Sequence, residues 1–182
     1  KLFGLNYIIF RPHNIFGERQ NIADKYRNVL GIFMNQILKG EAISIFGDGE
    51  QTRSFTYIKD IIPHIAGAPF NKKTYNHIFN LGADKAYSVN EIAKEVAKVM
   101  GRENHSIIYH EQRHEVKHTS PVHHKAKNFL GAEAKYSLSE GIQRMVEWVK
   151  VHGARETPEF AEIEIEKNLP PAWRAQKIKQ ME

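Results

Sequence analysis

Ten histidines and no cysteine set the terms for any metal chemistry in this sequence of 182 residues. Six of the histidines fall between His105 and His124, and His110, His114 and His118 recur every fourth residue. On a helix, that spacing would bring three imidazoles to one face as transition-metal ligands. Three features argue against a helix: Ile107-Ile108-Tyr109 reads as strand, Arg113 and Lys117 interrupt the array, and no apolar face runs beside it. The segment therefore reads as solvated or ligand-facing, and no metal ligand is assigned. Gly47-Asp48-Gly49 is the one glycine-rich turn to test as a phosphate cradle. A dinucleotide fingerprint needs G-x-G-x-x-G between a strand and a helix, so that free backbone amides meet the pyrophosphate. Here Glu50, Gln51 and Thr52 follow, then a strand pattern, which predicts a tight hairpin turn instead. No G-x-x-x-x-G-K-S/T run occurs, and no Ser-His-Asp or paired-carboxylate spacing stands out. Without cysteine there is no disulfide, thiolate zinc site or Cys nucleophile, as suits a reducing cytoplasm.

The formal charge of +5 raises the question of a polyanionic partner. Lysine and arginine are scattered without a run of three, and residues 151–182 hold six Glu against five Lys plus Arg. Nucleic-acid binding needs a basic stripe or cluster, so it is excluded as the purpose of this charge. A few well-placed arginines serving a small phosphorylated ligand fit better. No apolar stretch approaches the ~20 residues that cross a bilayer, and no signal-peptide pattern opens the chain. A soluble, cytoplasmic protein is expected, with a globular apolar content of 41%.

The elements that must position these residues alternate between strand and helix. Leu5 to Phe10 reads as a short buried strand ended by Arg11-Pro12, and His13 to Arg27 as a loop. Asn28 to Lys39 has helical apolar spacing, with Gly40 as its stop. Ala42 to Phe46 and Arg53 to Tyr57 flank the Asp-Gly turn as a hairpin-like pair. Lys59 to Ala66 reads as helix and Asn76 to Gly82 as a second buried strand. Ser88 with Glu91 forms a capping box for a helix from Val89 to Met100, closed by Gly101. Ser106 to His110 reads as strand, and Pro121 to Leu130 as a short helix. Ser137 with Glu140 caps a helix whose stripe is Leu138, Ile142, Met145, Val146 and Val149. Thr157-Pro158 opens a final helix through about Lys167. The result is a mixed α/β chain.

Three ordered motifs carry a resemblance. Arg11-Pro12-His13-Asn14-Ile15-Phe16-Gly17 comes first, then Ile45 to Asp60 (IFGDGEQTRSFTYIKD), then Phe79-Asn80-Leu81-Gly82. Arg113 followed by Glu115-Val116, and Lys125-Ala126-Lys127 before Leu130-Gly131, extend the match to about residue 150. The sequence resembles the C-terminal half of an extended short-chain dehydrogenase/reductase, the NAD-dependent nucleotide-sugar epimerase/dehydratase family, in its UDP-glucose 4-epimerase-like branch. The resemblance implies late strands of a Rossmann sheet plus a small mixed α/β substrate-binding lobe. Residues 1–17 and 75–100 would belong to the Rossmann sheet, 18–74 and 101–150 to the nucleotide-sugar lobe, and 151–182 to a helical extension.

For the site, the resemblance implies that Asn14 contacts the sugar nucleotide, while Pro12 and His13 lie on the nicotinamide side. Asn28 and Val29 match the helix N-terminus that meets the nucleotide, and Ser44 to Phe46 the strand bordering a uracil-type base. Arg53 and Arg113 correspond to the two arginines that hold the diphosphate, a task that suits a planar fork making bidentate, charge-assisted bonds. Glu115 stands near the family's ribose-gripping acid, one residue closer than usual. Phe16, Ser54 and Ala83 depart from the family's usual Tyr, Asp and Thr or Ser. Family catalysis uses a Tyr-x-x-x-Lys pair, and none of the seven tyrosines here is followed by lysine at that spacing. No catalytic residue is therefore assigned. NAD is expected to be bound mainly by an N-terminal half, the fragment alone to be inactive, and the whole enzyme to be a homodimer acting on a UDP-sugar or related nucleotide sugar. The alternatives are a stand-alone nucleotide-binding module, a dehydratase or decarboxylase of the same family, and a histidine-rich metal binder.

Overall fold

The computed structural model describes residues 2–24, 27–119 and 122–156. In chain order, the elements are β1 (Ile8–Pro12), β2 (Ile15–Phe16), α1 (Val29–Lys39), β3 (Ile43–Phe46), β4 (Thr52–Ser54), β5 (Thr56–Tyr57), α2 (Ile62–Gly67), β6 (His77–Leu81), β7 (Ala86–Ser88), α3 (Val89–Val99), β8 (Ile107–His110), α4 (His124–Leu130) and α5 (Leu138–His152). Helix and strand interleave, and three of the four strand pairs are parallel: β1 with β6, β2 with β5, and β3 with β8. Strands β4 and β7 pair antiparallel.

The helices start and stop where side-chain chemistry tells them to. Both capping boxes form. The Ser88 hydroxyl accepts the Glu91 N–H while the Glu91 carboxylate accepts the Ser88 N–H at 2.7 Å. Ser137 and Glu140 repeat the arrangement, with the return bond at 2.8 Å. Each box satisfies two donors that a helix start would otherwise leave unpaired. Helix α1 ends at Gly40 with φ +72°, where the Glu41 N–H reaches back to the Gln36 carbonyl. A side chain would be strained in that left-handed conformation.

Two cores divide the molecule. The larger one gathers Leu30, Phe33 and Met34 of α1, Ile43 and Ile45 of β3, Ile92 and Val96 of α3, and Ile142, Met145, Val146 and Val149 of α5. The apolar stripe expected on α5 is thus buried as a unit, with Leu138 partly so. The smaller core holds Phe79 and Leu81 of β6 with Ile61 and Ala126, edged by Ile8, Phe10 and Leu130. Helix α3 packs against α1 and α5, its Ile92-Ala93-Val96-Ala97 face complementing theirs.

Other expectations shift for tertiary reasons. The runs around Gly47-Asp48-Gly49 do not form a hairpin. Strand β3 takes β8 as its partner, β4 takes β7, and the turn between them seats on the start of α3, where Asn90 bonds the Gly49 and Asp48 carbonyls. Alternation specified two strands, but the second run divides into β4, paired with β7, and β5, paired with β2, while burial of Ile43 and Ile45 accompanies the pairing of β3 with β8. The first strand begins at Ile8 rather than Leu5 and runs through Arg11 to Pro12, because its register is set by β6. The loop after it contains β2, a two-residue pairing with no local signal. Between Ile58 and Gly67 there is a 3-10 turn followed by α2 rather than one helix. Helix α5 continues past residue 150 to His152 and stops at Gly153, so the segment from 151 opens as the end of that helix. The Asn35 side-chain amide then donates to the Arg155 carbonyl and accepts the Arg155 N–H, both at 2.9 Å. The helix expected from Thr157, and Pro121 at the expected start of α4, lie outside the described residues.

Candidate functional site

An open cavity of about 560 Å³ lies beside the larger core. Its walls come from segments far apart in sequence: Asn14 to Phe16, Gln20, the first turn of α1, β3, Gln51, Arg53, Phe55, Val89 and residues 113–115. All eight residues expected to bind a sugar nucleotide line it: Asn14, Asn28, Val29, Ser44, Phe46, Arg53, Arg113 and Glu115. A mostly apolar wall with a few converging polar groups is what a small-molecule site requires.

Each wall has a local cause. Asn14 adopts a positive φ of 40°, and its side-chain amide donates to the Ser54 carbonyl at 2.9 Å, tying the end of β1 to β4. Helix α1 begins at Asn28, which is left-handed and gives no side-chain cap, and its first turn contains no acidic residue. Its leading N–H groups and the positive end of its dipole therefore lie at the cavity rim with no acidic side chain in the turn that carries them. Gln36 accepts the Ser44 N–H, and Gln51 donates to the Phe46 carbonyl, so the exposed edge of β3 is held from both sides.

The charged groups sit opposite α1. Arg53 donates through Nη1 to the carbonyls of Thr52 and Lys117 and through Nη2 to Glu115 Oε2 at 2.9 Å. The Arg113 guanidinium stacks over the Phe46 ring, 3.4 Å from its centroid, while His110 packs beside the same ring. Glu115 is the one carboxylate among the lining residues. Gln20, missed from sequence, presents an amide with both polar atoms buried and, among the described residues, without a hydrogen-bond partner.

Pro12 and His13 are not part of this cavity. They mark the carboxyl end of β1, beside that of β6, where the His13 N–H donates to the Leu81 carbonyl. The His13 ring approaches His123, with Nδ1 to Nε2 at 3.4 Å, and His123 Nδ1 lies 3.0 Å from Asp84 Oδ1. Partial burial, followed by the neighbouring His123, pushes the His13 imidazole below its ordinary value, against a pull from the Leu81 carbonyl. Residues 84 and 123 carry no spacing signal, since strand pairing and α4 bring them together. The histidines of the 105–124 segment are dispersed: His110 is in β8, His114 lines the cavity and His118 faces Thr52. Among the described residues, no three His, Asp or Glu groups gather closely enough to hold a metal ion. NAD fits these residues poorly as a whole. The turn at Gly47 and Gly49 leads into a strand and is packed by Asn90, so it offers no pyrophosphate cradle.

The NAD dependent epimerase/dehydratase family model matches residues 1–82. A putative UDP-glucose 4-epimerase of Methanocaldococcus jannaschii is 35% identical over 150 residues, covering 82% of this chain and 48% of that protein. The crystal structure of a UDP-glucose 4-epimerase from Thermotoga maritima with UDP-glucose superposes with a TM-score of 0.73 at 32% identity, covering 82% of this chain and 48% of that one. A UDP-glucuronic acid 4-epimerase from Bacillus cereus, in complex with UDP-glucuronic acid and NAD, gives a TM-score of 0.71 at 28% identity, covering 80% and 45%. This chain thus spans about half the length of the relatives it matches. Among the described residues, no helix is long and apolar enough to cross a membrane.

Proposed function

From the match of residues 1–82 to the NAD dependent epimerase/dehydratase family, we propose that the chain forms the sugar-nucleotide-binding portion of a UDP-sugar epimerase. The observation that carries this reading is the convergence of eight separately expected residues on one cavity of about 560 Å³. In it, Arg53 and Arg113 grip the diphosphate together with the N-terminus of α1 at Asn28 and Val29. An anion is favoured there because free N–H donors, the helix dipole and two guanidinium groups act on the same charge. The edge of β3 from Ser44 to Phe46 borders the base, Glu115 reaches the ribose, and Asn14 and Gln20 face the sugar.

The oxidation and reduction of the sugar fall to residues other than these. NAD supplies hydride chemistry in the family, and in this reading it is held mainly by a dinucleotide-binding half that packs on β1 and β6, with Pro12 and His13 at its margin. Titrating the chain with UDP and following backbone amide shifts tests the binding assignment. Perturbation should centre on residues 28, 53 and 113, and R53Q should weaken binding by about tenfold or more, the size of a charge-assisted hydrogen bond. Shifts confined to other surfaces would overturn it. Incubating the chain with UDP-glucose and NAD should yield no epimerised sugar.

A further inference from the structure

We propose that Glu115 acts as an internal stand-in for the ligand's phosphate, occupying Arg53 until a diphosphate displaces it, and so weakens the site by competing for its own arginine. The inference rests on the reading of Arg53 as a diphosphate-binding residue. Three observations support it. The Glu115 carboxylate meets Arg53 Nη2 at 2.9 Å and accepts a bond from Gln51 Nε2 at 3.2 Å, so it is held in place rather than free in solvent. The Arg53 side chain is 19% exposed and that of Glu115 37%, which gives the ion pair partial shielding from water. The two remaining Arg53 contacts go to neutral backbone carbonyls, of Thr52 and Lys117, so among the described residues Glu115 is the one anion bound to it.

The geometry leaves Arg53 fixed while its counter-ion is exchangeable. The segment carrying Glu115 is anchored independently: the Thr52 N–H donates to the Lys117 carbonyl and the Thr119 N–H to the Thr52 carbonyl. His118 Nδ1 lies 3.0 Å from the Thr52 hydroxyl. These bonds hold Arg53 and its strap in place whether or not Glu115 stays. Arg113 stacks on the Phe46 ring and, among the described residues, pairs with no carboxylate. A diphosphate that bridges both guanidinium groups replaces one carboxylate bond with two phosphate bonds. A ligand with a single anionic group exchanges one for one and gains little. Glu115 thereby sets a charge threshold for entry.

Inorganic pyrophosphate is the probe, because it lacks a ribose that a Glu115 side chain would otherwise contact. The 182-residue chain is titrated calorimetrically at low salt as wild type, E115Q, E115A and R53Q. Both Glu115 variants should bind pyrophosphate about threefold to fivefold more tightly than wild type, the size of a part-exposed ion pair, while R53Q binds more weakly. E115A guards against a glutamine that keeps the old contact, and circular dichroism checks that each variant is folded. Equal or weaker binding by both Glu115 variants, with R53Q weakened, overturns the stand-in role and leaves the binding site intact. Undiminished binding by R53Q, or none by any of the four proteins, overturns the diphosphate reading itself.

Discussion

The two cores use the same residue types but differ in what they enclose. Around α1, α3 and α5, the apolar side chains of three helices and β3 meet on all sides, and Ile92, Val96, Ile142, Met145 and Val149 are inaccessible to solvent. Around β1 and β6, one face of the strand pair is covered by α4 and Ile61, whereas Ile9 and Ile78 on the other face remain 43% and 37% exposed. Tyr7, Leu5 and Phe3 prolong that open surface. Continuous apolar strands buried on both faces are the mark of parallel sheets, so the composition of β1 and β6 exceeds what their described surroundings use. The cavity is walled mostly by elements rooted in the closed core, with Asn14 and Ile15 added from the end of β1, while the residues expected on the cofactor side stand at the open core.

The comparison breaks most directly through truncation. Ile142→Ala in the closed core should cost about 2–5 kcal/mol, whereas Ile78→Ala on the open face should cost under about 1 kcal/mol, measured by urea denaturation. Equal losses would mean that the open face is as well packed as the closed one. Next in size is Gly141→Ala. A methyl there would lie 2.7 Å from Phe16 Cζ and 3.2 Å from Tyr57 Cβ, so overpacking of about 1–3 kcal/mol outweighs the roughly 0.5–1 kcal/mol that alanine gains in a helix. The net effect is a lower melting temperature, and UDP binding should weaken with it, because Phe16 also lines the cavity. Ser137→Ala should remove about 1 kcal/mol by breaking the capping box of α5, without a change in ligand affinity.

The smallest effect belongs to the open side. His13 is pushed below its ordinary value of 6.5 by partial burial and by His123. The unfolded chain therefore binds a proton here more readily than the folded one. This contribution to stability is present in full above about pH 6.5 and is lost as the pH falls below it. H13N should flatten the difference in urea midpoint between pH 7.5 and pH 5.5, and an unchanged slope would rule out His13 as its source. The Glu140 carboxylate, held low first by the Ser137 hydroxyl and then by the Ser137 N–H, acts at lower pH. Its stabilisation is present above its usual 4.5 and fades as the pH drops past its lowered value.

Several parts of this architecture were legible because their causes are local. Ser88 with Glu91, Ser137 with Glu140, and Gly40 after an apolar helical run each depend on residues within a few positions, and each forms as written. The alternation at 43–46 and 52–57 likewise announced strands. Their pairing was not legible, because an Asp-Gly turn is compatible with a hairpin and with two strands that leave for different partners. The same limit hid Asp84 and His123 beside His13, and Gln20 and Gln51 in the cavity wall.

The sequence by itself determined most of the longer helices and strands, where the capped helices begin, and, through ordered motifs, which eight residues to look for in a sugar-nucleotide site. Those are matters of side-chain stereochemistry and short-range hydrogen bonding, written within a few residues of each other. Only the tertiary structure decided that Asn14, Asn28, Ser44, Arg53 and Arg113 share one cavity, that α3 joins α1 and α5, and that Arg53 is held by Glu115, 62 residues away. Such contacts arise when apolar faces bury one another, and the free energy that selects those partners belongs to the whole core rather than to any one segment.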